Sequence, residues 1–356
     1  MRRGTAVLLS IVACACARTV SDGPPVTATA FPTPAAVATA TAAAPAASTA
    51  PTSASTPDAA AVKLVEFPVG RGQGPHDVAP APDGGVWYTA QRTGELGYLD
   101  PKTGATRMVR LGSGSSPHGV IVGPDGAPWV TDSGMNAIVR VEPASKEVKV
   151  FKLPGPNVNL NTAAFDQFGI LWFTGQSGYF GHVDPTTGAV KVMQSPRGAG
   201  PYGITSTPDG RIFYASLANS HIAWVDLKED IATPIDPPTP GQGARRMWSD
   251  SKSQIWVSEW NAGQLGFFSA HVNLWKEWKI PGANPMPYAV YVDDQDIVWL
   301  TDFGANAIVR FDPRTEKFTS YPHPQPNAAV RQILGRPGEV WGAMSGQDKL
   351  LLIRTR

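Results

Sequence analysis

Seven side chains recur at one place in this 356-residue sequence: His76, His118, Asn161, Tyr202, Arg245, Tyr288 and Arg331. Each stands eleven residues before an aromatic, ten in the last case; the aromatics are Trp87, Trp129, Trp172, Phe213, Trp256, Trp299 and Trp341. Imidazoles can take up a proton near neutral pH, guanidiniums grip planar anions, and phenols offer a ring face with a hydroxyl. A second set, Asp132, Glu259 and Asp302, follows three of the aromatics by three residues. A hairpin with its turn near Asp125 would set His118 opposite Asp132, and the same pairing brings Arg245 to Glu259, Tyr288 to Asp302 and Arg331 to Ser345. His118 with Asp132 then reads as a base with its orienting carboxylate. His76, Asn161, Tyr202, Arg245, Glu259, Tyr288, Asp302 and Arg331 read as ligand-binding residues.

Other chemistries find little support. The sequence has no phosphate-cradling glycine loop, no His-Glu-x-x-His and no Gly-x-Ser-x-Gly. Its two cysteines, Cys14 and Cys16, lie among the first twenty residues, so the remainder can form neither a disulfide nor a thiolate metal site. His182, His221, His271 and His323 fall in outer strands or turns and read as surface residues.

The elements that must position the seven follow from the aromatic spacing of 41 to 43 residues, which makes seven repeats. Residues 131–140 and 301–310 are identical at eight of ten positions. Apolar and polar residues alternate at period two between turn residues, giving four short antiparallel strands per repeat. The fold class is therefore all-β, a seven-bladed β-propeller with four-stranded antiparallel blades. Asp100, Asp184 and Asp312, each followed by proline, read as turn formers. Leu64 to Gly70 matches the strand ends Phe151 to Gly155 and Trp278 to Gly282, and the last repeat has only three strands. An N-terminal strand should thus close the last blade. The repeated tryptophans read as core; Trp260, Trp275 and Trp278 have no assigned place.

Gly and Pro make 70 of the residues, and charged residues only 17%. Residues 61–356 hold 61 of those 70 and carry 27 basic and 27 acidic groups. A ring without net charge makes nucleic acid an improbable partner. Residues 1–17, with Arg2, Arg3 and a short apolar run, read as an export signal with a candidate lipobox ending at Cys14, the expected lipidation site. Residues 18–60 read as a disordered tether, since 33 of the 37 residues from 24 to 60 are Ala, Thr, Pro or Ser. The propeller is expected over 61–356. The localisation implied is a bacterial cell-surface or periplasmic lipoprotein, or a secreted chain. Contact with a membrane is expected only through the lipid anchor. A monomer with a small-molecule ligand at the channel mouth is the expected state.

Units such as Pro117-His118-Gly119-Val120, Trp129-Val130-Thr131-Asp132, Asn136 to Arg140 and Phe151 to Gly155 resemble those of the virginiamycin B lyase (streptogramin lyase) family. The resemblance covers about 62 to 356. It implies a carbon–oxygen lyase that opens the lactone of cyclic depsipeptide antibiotics by elimination, an antibiotic-resistance activity, with Mg²⁺ as the one implied cofactor. It also implies a substrate-binding histidine where this chain has Tyr288, a metal-binding glutamate at Ala329, an acid/base histidine at Arg331 and a second metal carboxylate at Ser345. Guanidinium stays protonated and cannot act as a base at neutral pH. The expectation is therefore an exported lyase-like propeller whose catalysis is open. The alternative is a tethered propeller that binds a ligand or protein without chemistry. A lactonase relative is disfavoured by the seven-fold period.

Overall fold

The computed structural model describes residues 62–355, so the export signal, the lipidation of Cys14 and the tether lie outside the described residues. The described chain forms seven sheets, each of four antiparallel strands. Their innermost strands number blades one to seven: Pro75–Pro80, Pro117–Val122, Leu160–Phe165, Pro201–Ser206, Ala244–Ser249, Pro287–Val292 and Val330–Arg336. Each touches the next and the last touches the first, which closes a ring around a central channel. In blade seven the outer strand is Leu64–Pro68, paired antiparallel with Lys349–Arg354. The expected N-terminal clasp is present and covers an edge that would otherwise be open.

The seven repeated aromatics are core, none more than 2% exposed. A buried indole N–H needs an acceptor. An aspartate six residues earlier provides it for Trp172 (Asp166, 2.8 Å), Trp256 (Asp250, 3.1 Å) and Trp299 (Asp293, 2.8 Å). Asp100, Asp184 and Asp312 accept backbone N–H groups two residues on, as turn formers do.

In blades one, two, three and five a hydroxyl two residues after the aromatic ties the blade to the next. Thr89 Oγ1 accepts from Asp77 N (3.0 Å) and donates to His118 O (2.8 Å). Thr131 does the same between Gly119 N and Asn161 O, and Ser258 between Arg246 N and Tyr288 O. These staples fix the backbone at the start of the innermost strands of blades one to six, where six of the seven recurring side chains sit. A β-bulge lies there in every blade, as in Pro75/Val78, Pro117/Gly119 and Ala244/Met247. The bulge sets Pro117, not His118, opposite Asp132. Likewise Ala244 faces Glu259, Pro287 faces Asp302, and Val330 faces Met344. The pairing read from the sequence is off by one, because a strand-start bulge adds a residue that alternation cannot reveal.

Candidate functional site

The structure gathers all seven recurring side chains at one mouth of the channel. His76, His118, Asn161, Tyr202 and Tyr288 are buried, and Arg245 and Arg331 partly so. The His76 and His118 ring centroids are 3.9 Å apart. His118 Nδ1 lies 3.1 Å from Asn161 O and its Nε2 3.3 Å from Asn161 Nδ2. The carbonyl can only accept and the amide nitrogen only donate, so His118 carries its proton on Nδ1 and both nitrogens are engaged by Asn161. Across the mouth the Tyr202 and Tyr288 hydroxyls share a hydrogen bond at 2.6 Å, and Arg245 Nη2 donates to Tyr202 at 3.0 Å. The Arg245 guanidinium lies 3.6 Å from the Tyr288 ring centroid and 4.6 Å from that of Trp260, which finds its place here. Phe303 stacks on the other face of this cluster, 4.8 Å from Tyr288.

The carboxylates expected beside these residues turn elsewhere. Asp132 accepts from Ser115 Oγ (2.5 Å), Ser116 N (2.9 Å) and Met135 N (2.9 Å), so it clamps two loops and is not the partner of His118. Asp302 does the same job through Met286 N (2.7 Å) and Gly304 N (2.9 Å). Glu259 points to Gln264 (2.9 Å), away from Arg245. Arg331 does reach Ser345, its Nε donating to the hydroxyl at 2.8 Å. Of the four histidines read as surface residues, His271 is exposed, but His221 and His323 are buried.

Three participants were not foreseen. Arg246 of blade five spans the channel to Asp77 of blade one, Nη2 to Oδ1 at 2.9 Å and Nη1 to Oδ2 at 3.2 Å, and both residues are at most 4% exposed. Asp77 Oδ1 also accepts from His76 Nδ1 at 2.8 Å. Exposed Arg92 donates to Ser345 O at 3.3 Å, next to Arg331. A signal for the pair did exist: the position after each recurring residue holds Gly119, Thr162, Gly203 and Ala289 in four blades and Gln332 in the seventh, against one acid and one base. A Cβ on Gly119 would come within 2.7 Å of Asn161 O and 2.8 Å of Thr131 Oγ1, so the backbone of the next blade requires glycine there.

Burial, then the guanidiniums of Arg246, Arg331 and Arg245, hold His76 well below its ordinary value; burial and His76 do the same to His118. Burial pushes Asp77 up, with Arg246 opposing it. Burial and the neighbouring Tyr288 push Tyr202 up to about 12. Burial would raise Tyr288 too, but Arg245, Arg246 and the bond with Tyr202 outweigh it and lower that phenol. Among the described residues, Arg92, Arg245 and Arg331 have no carboxylate within 4.0 Å. The mouth is thus locally cationic on a ring of no net charge, and suits a planar anion.

Mg²⁺ does not fit these residues. It asks for hard oxygen ligands, while Ala329 has none and Ser345 Oγ accepts from Arg331 and donates to Ala329 O (3.0 Å). His76, Asp77 and His118 bring ligand atoms within 4.8 Å of one another. Arg246 already occupies the Asp77 carboxylate, and three guanidiniums face the cluster.

Glu259 supplies a pH test. Burial, then Glu277, raises it from 4.5 to about 8. The folded chain therefore keeps a proton that the unfolded chain releases above about pH 4.5, and stability falls as pH rises towards 8. Glu259→Gln is expected to remove roughly 2–4 kcal/mol of that fall while leaving stability at pH 4.5 unchanged. Urea titrations at the two pH values measure the difference.

A family model described as the virginiamycin B lyase family matches residues 33–275. No curated protein sequence matches the chain. Among solved structures, a virginiamycin B lyase from Staphylococcus aureus is similar at 22% identity, covering 83% of this chain and 100% of that one, with a TM-score of 0.78. A catalytically inactive variant of the S. aureus enzyme with quinupristin matches at 22% identity and TM-score 0.77, over 83% of this chain and 100% of that one. An extracellular domain of a hybrid two-component system from B. thetaiotaomicron matches at 14% identity and TM-score 0.67, over 83% of this chain and 43% of that one.

Proposed function

Because the chain belongs to the virginiamycin B lyase family, we propose that it is a member that keeps the propeller and uses its strand-start mouth to bind a planar anionic small molecule without turning it over. The observation that carries this reading is the set of guanidiniums, Arg245 and Arg331 with Arg92 beside them, that face this mouth without a carboxylate partner. Half-buried Arg245 and Arg331 have no counter-ion, and an anionic ligand would supply one through charge-assisted hydrogen bonds. Residues 1–17 would export the chain, and lipidation of Cys14 would hold the monomeric ring outside the cytoplasm. An unlipidated chain released into the medium would overturn that anchor.

Calorimetric titration of the purified chain with 4-nitrobenzoate tests the site. Saturable binding is expected, at least 10-fold weaker in Arg331→Gln, with 4-nitrobenzyl alcohol binding more weakly than the anion. Equal affinity for the neutral analogue, or an unchanged affinity in Arg331→Gln, would overturn it.

Elimination on a lactone is the second reading, favoured by family membership and by the lowered phenol of Tyr288, a group able to take a proton. Against it, Tyr288 is 2% exposed and its oxygen is covered by Tyr202.

A further inference from the structure

The other mouth of the channel, where the innermost strands end, is built differently. Half-buried Ile121, Phe165, Trp248 and Leu334, with Ala79 and Ala164, line a cavity of about 340 Å³ that no charged side chain borders. A narrow extension of about 30 Å³ shares Ile121, Ala163, Trp248 and Leu334 with it and continues inward to Asp77, Arg246 and Gln332. The passage runs from an apolar funnel to a polar floor, which is the Asp77–Arg246 pair reached from the opposite side. Small-molecule sites have this form: roughly 300–1,000 Å³, mostly apolar, with a few convergent polar groups.

The floor has donors to spare. Arg246 is 4% exposed; each Nη gives one of its two hydrogens to Asp77, and its Nε has no partner among the described residues. Leaving such a group unpaired is costly, so an acceptor that reaches it gains more than an ordinary hydrogen bond. The ion pair is already balanced in charge. A charged head would therefore be desolvated without a counter-ion, and a neutral acceptor is selected.

We propose that this mouth is a second ligand site, separate from the strand-start mouth, for a slender apolar molecule carrying a single neutral carbonyl. The hydrocarbon lies against Trp248, Ile121, Phe165 and Leu334, and the carbonyl oxygen accepts from the Arg246 guanidinium at the floor. Titration calorimetry of the full chain with 2-nonanone tests it, with nonanoate and nonylammonium as charged counterparts. Saturable submillimolar binding of the ketone is expected, with both charged molecules at least 10-fold weaker. Leu334→Asp, which puts a charge in the funnel, and Ala163→Phe, which fills the passage, should each weaken ketone binding at least 10-fold, thermal melts confirming that each variant is folded. Arg331→Gln, at the far mouth, should leave it unchanged. No saturable heat, equal binding of a charged counterpart, full binding by a folded Leu334→Asp, or loss in Arg331→Gln would each overturn the assignment.

Discussion

Removal of residues 62–69 is expected to lower the Tm of the ring by at least ~10 °C or to abolish folding altogether. These residues supply the outer strand of blade seven. Val65, Phe67 and Val69 pack on the cluster of Trp341, Leu350 and Leu352, while Val62 and Leu64 pack on the neighbouring one. A fully buried apolar side chain contributes about 1.5–3 kcal/mol. These five are half-buried, so about 5 kcal/mol is at stake, against a total stability of roughly 5–15 kcal/mol. The loss also bares the edge of Lys349–Arg354, a strand rich in leucine and a template for aggregation. Phe67→Ala is the milder form, with an expected loss of about 1–3 kcal/mol. Differential scanning calorimetry of the truncated and full chains measures the effect, and an unchanged melt would refute the clasp.

The second large effect is at the channel. Asp77→Asn leaves Arg246 charged, buried and without its counter-ion, and is expected to cost about 3–5 kcal/mol. Most of that is the penalty of the stranded charge and not the net worth of the pair. Adding Arg246→Met should therefore recover the greater part, because an apolar replacement of both partners is often neutral. Urea titration of the single and double variants separates the two. A double variant as unstable as Asp77→Asn would show that the pair itself contributes the stability.

The ring was legible because its signals are local and repeated. Trp-x-Thr, Asp-Pro and the period near 42 residues each mark a hydrogen bond or turn that the structure contains, and the clasp was visible as a strand motif displaced to the other end of the chain. The location of His76, His118, Tyr202, Arg245, Tyr288 and Arg331 was legible for the same reason. Their partners were not. A bulge of one residue changes which side chains face each other, so Asp132 and Asp302 clamp loops and Glu259 bonds to Gln264, and none of the three pairs with a recurring side chain. The Asp77–Arg246 bond joins residues 169 apart across the channel, and no local pattern encodes such a contact. His323 misled for a related reason: it occupies a place after the outer strand that blades one, two and five fill with Leu111, Leu153 and Ile280, all buried.

The account holds that this chain has the family's ring without a base or metal carboxylates where the resemblance puts them, since Tyr288, Ala329, Arg331 and Ser345 stand there. Incubation of the purified chain with virginiamycin S and Mg²⁺, followed by mass spectrometry, tests this most directly. The predicted result is intact cyclic depsipeptide at stoichiometric protein after prolonged incubation; accumulation of the linear elimination product would contradict it.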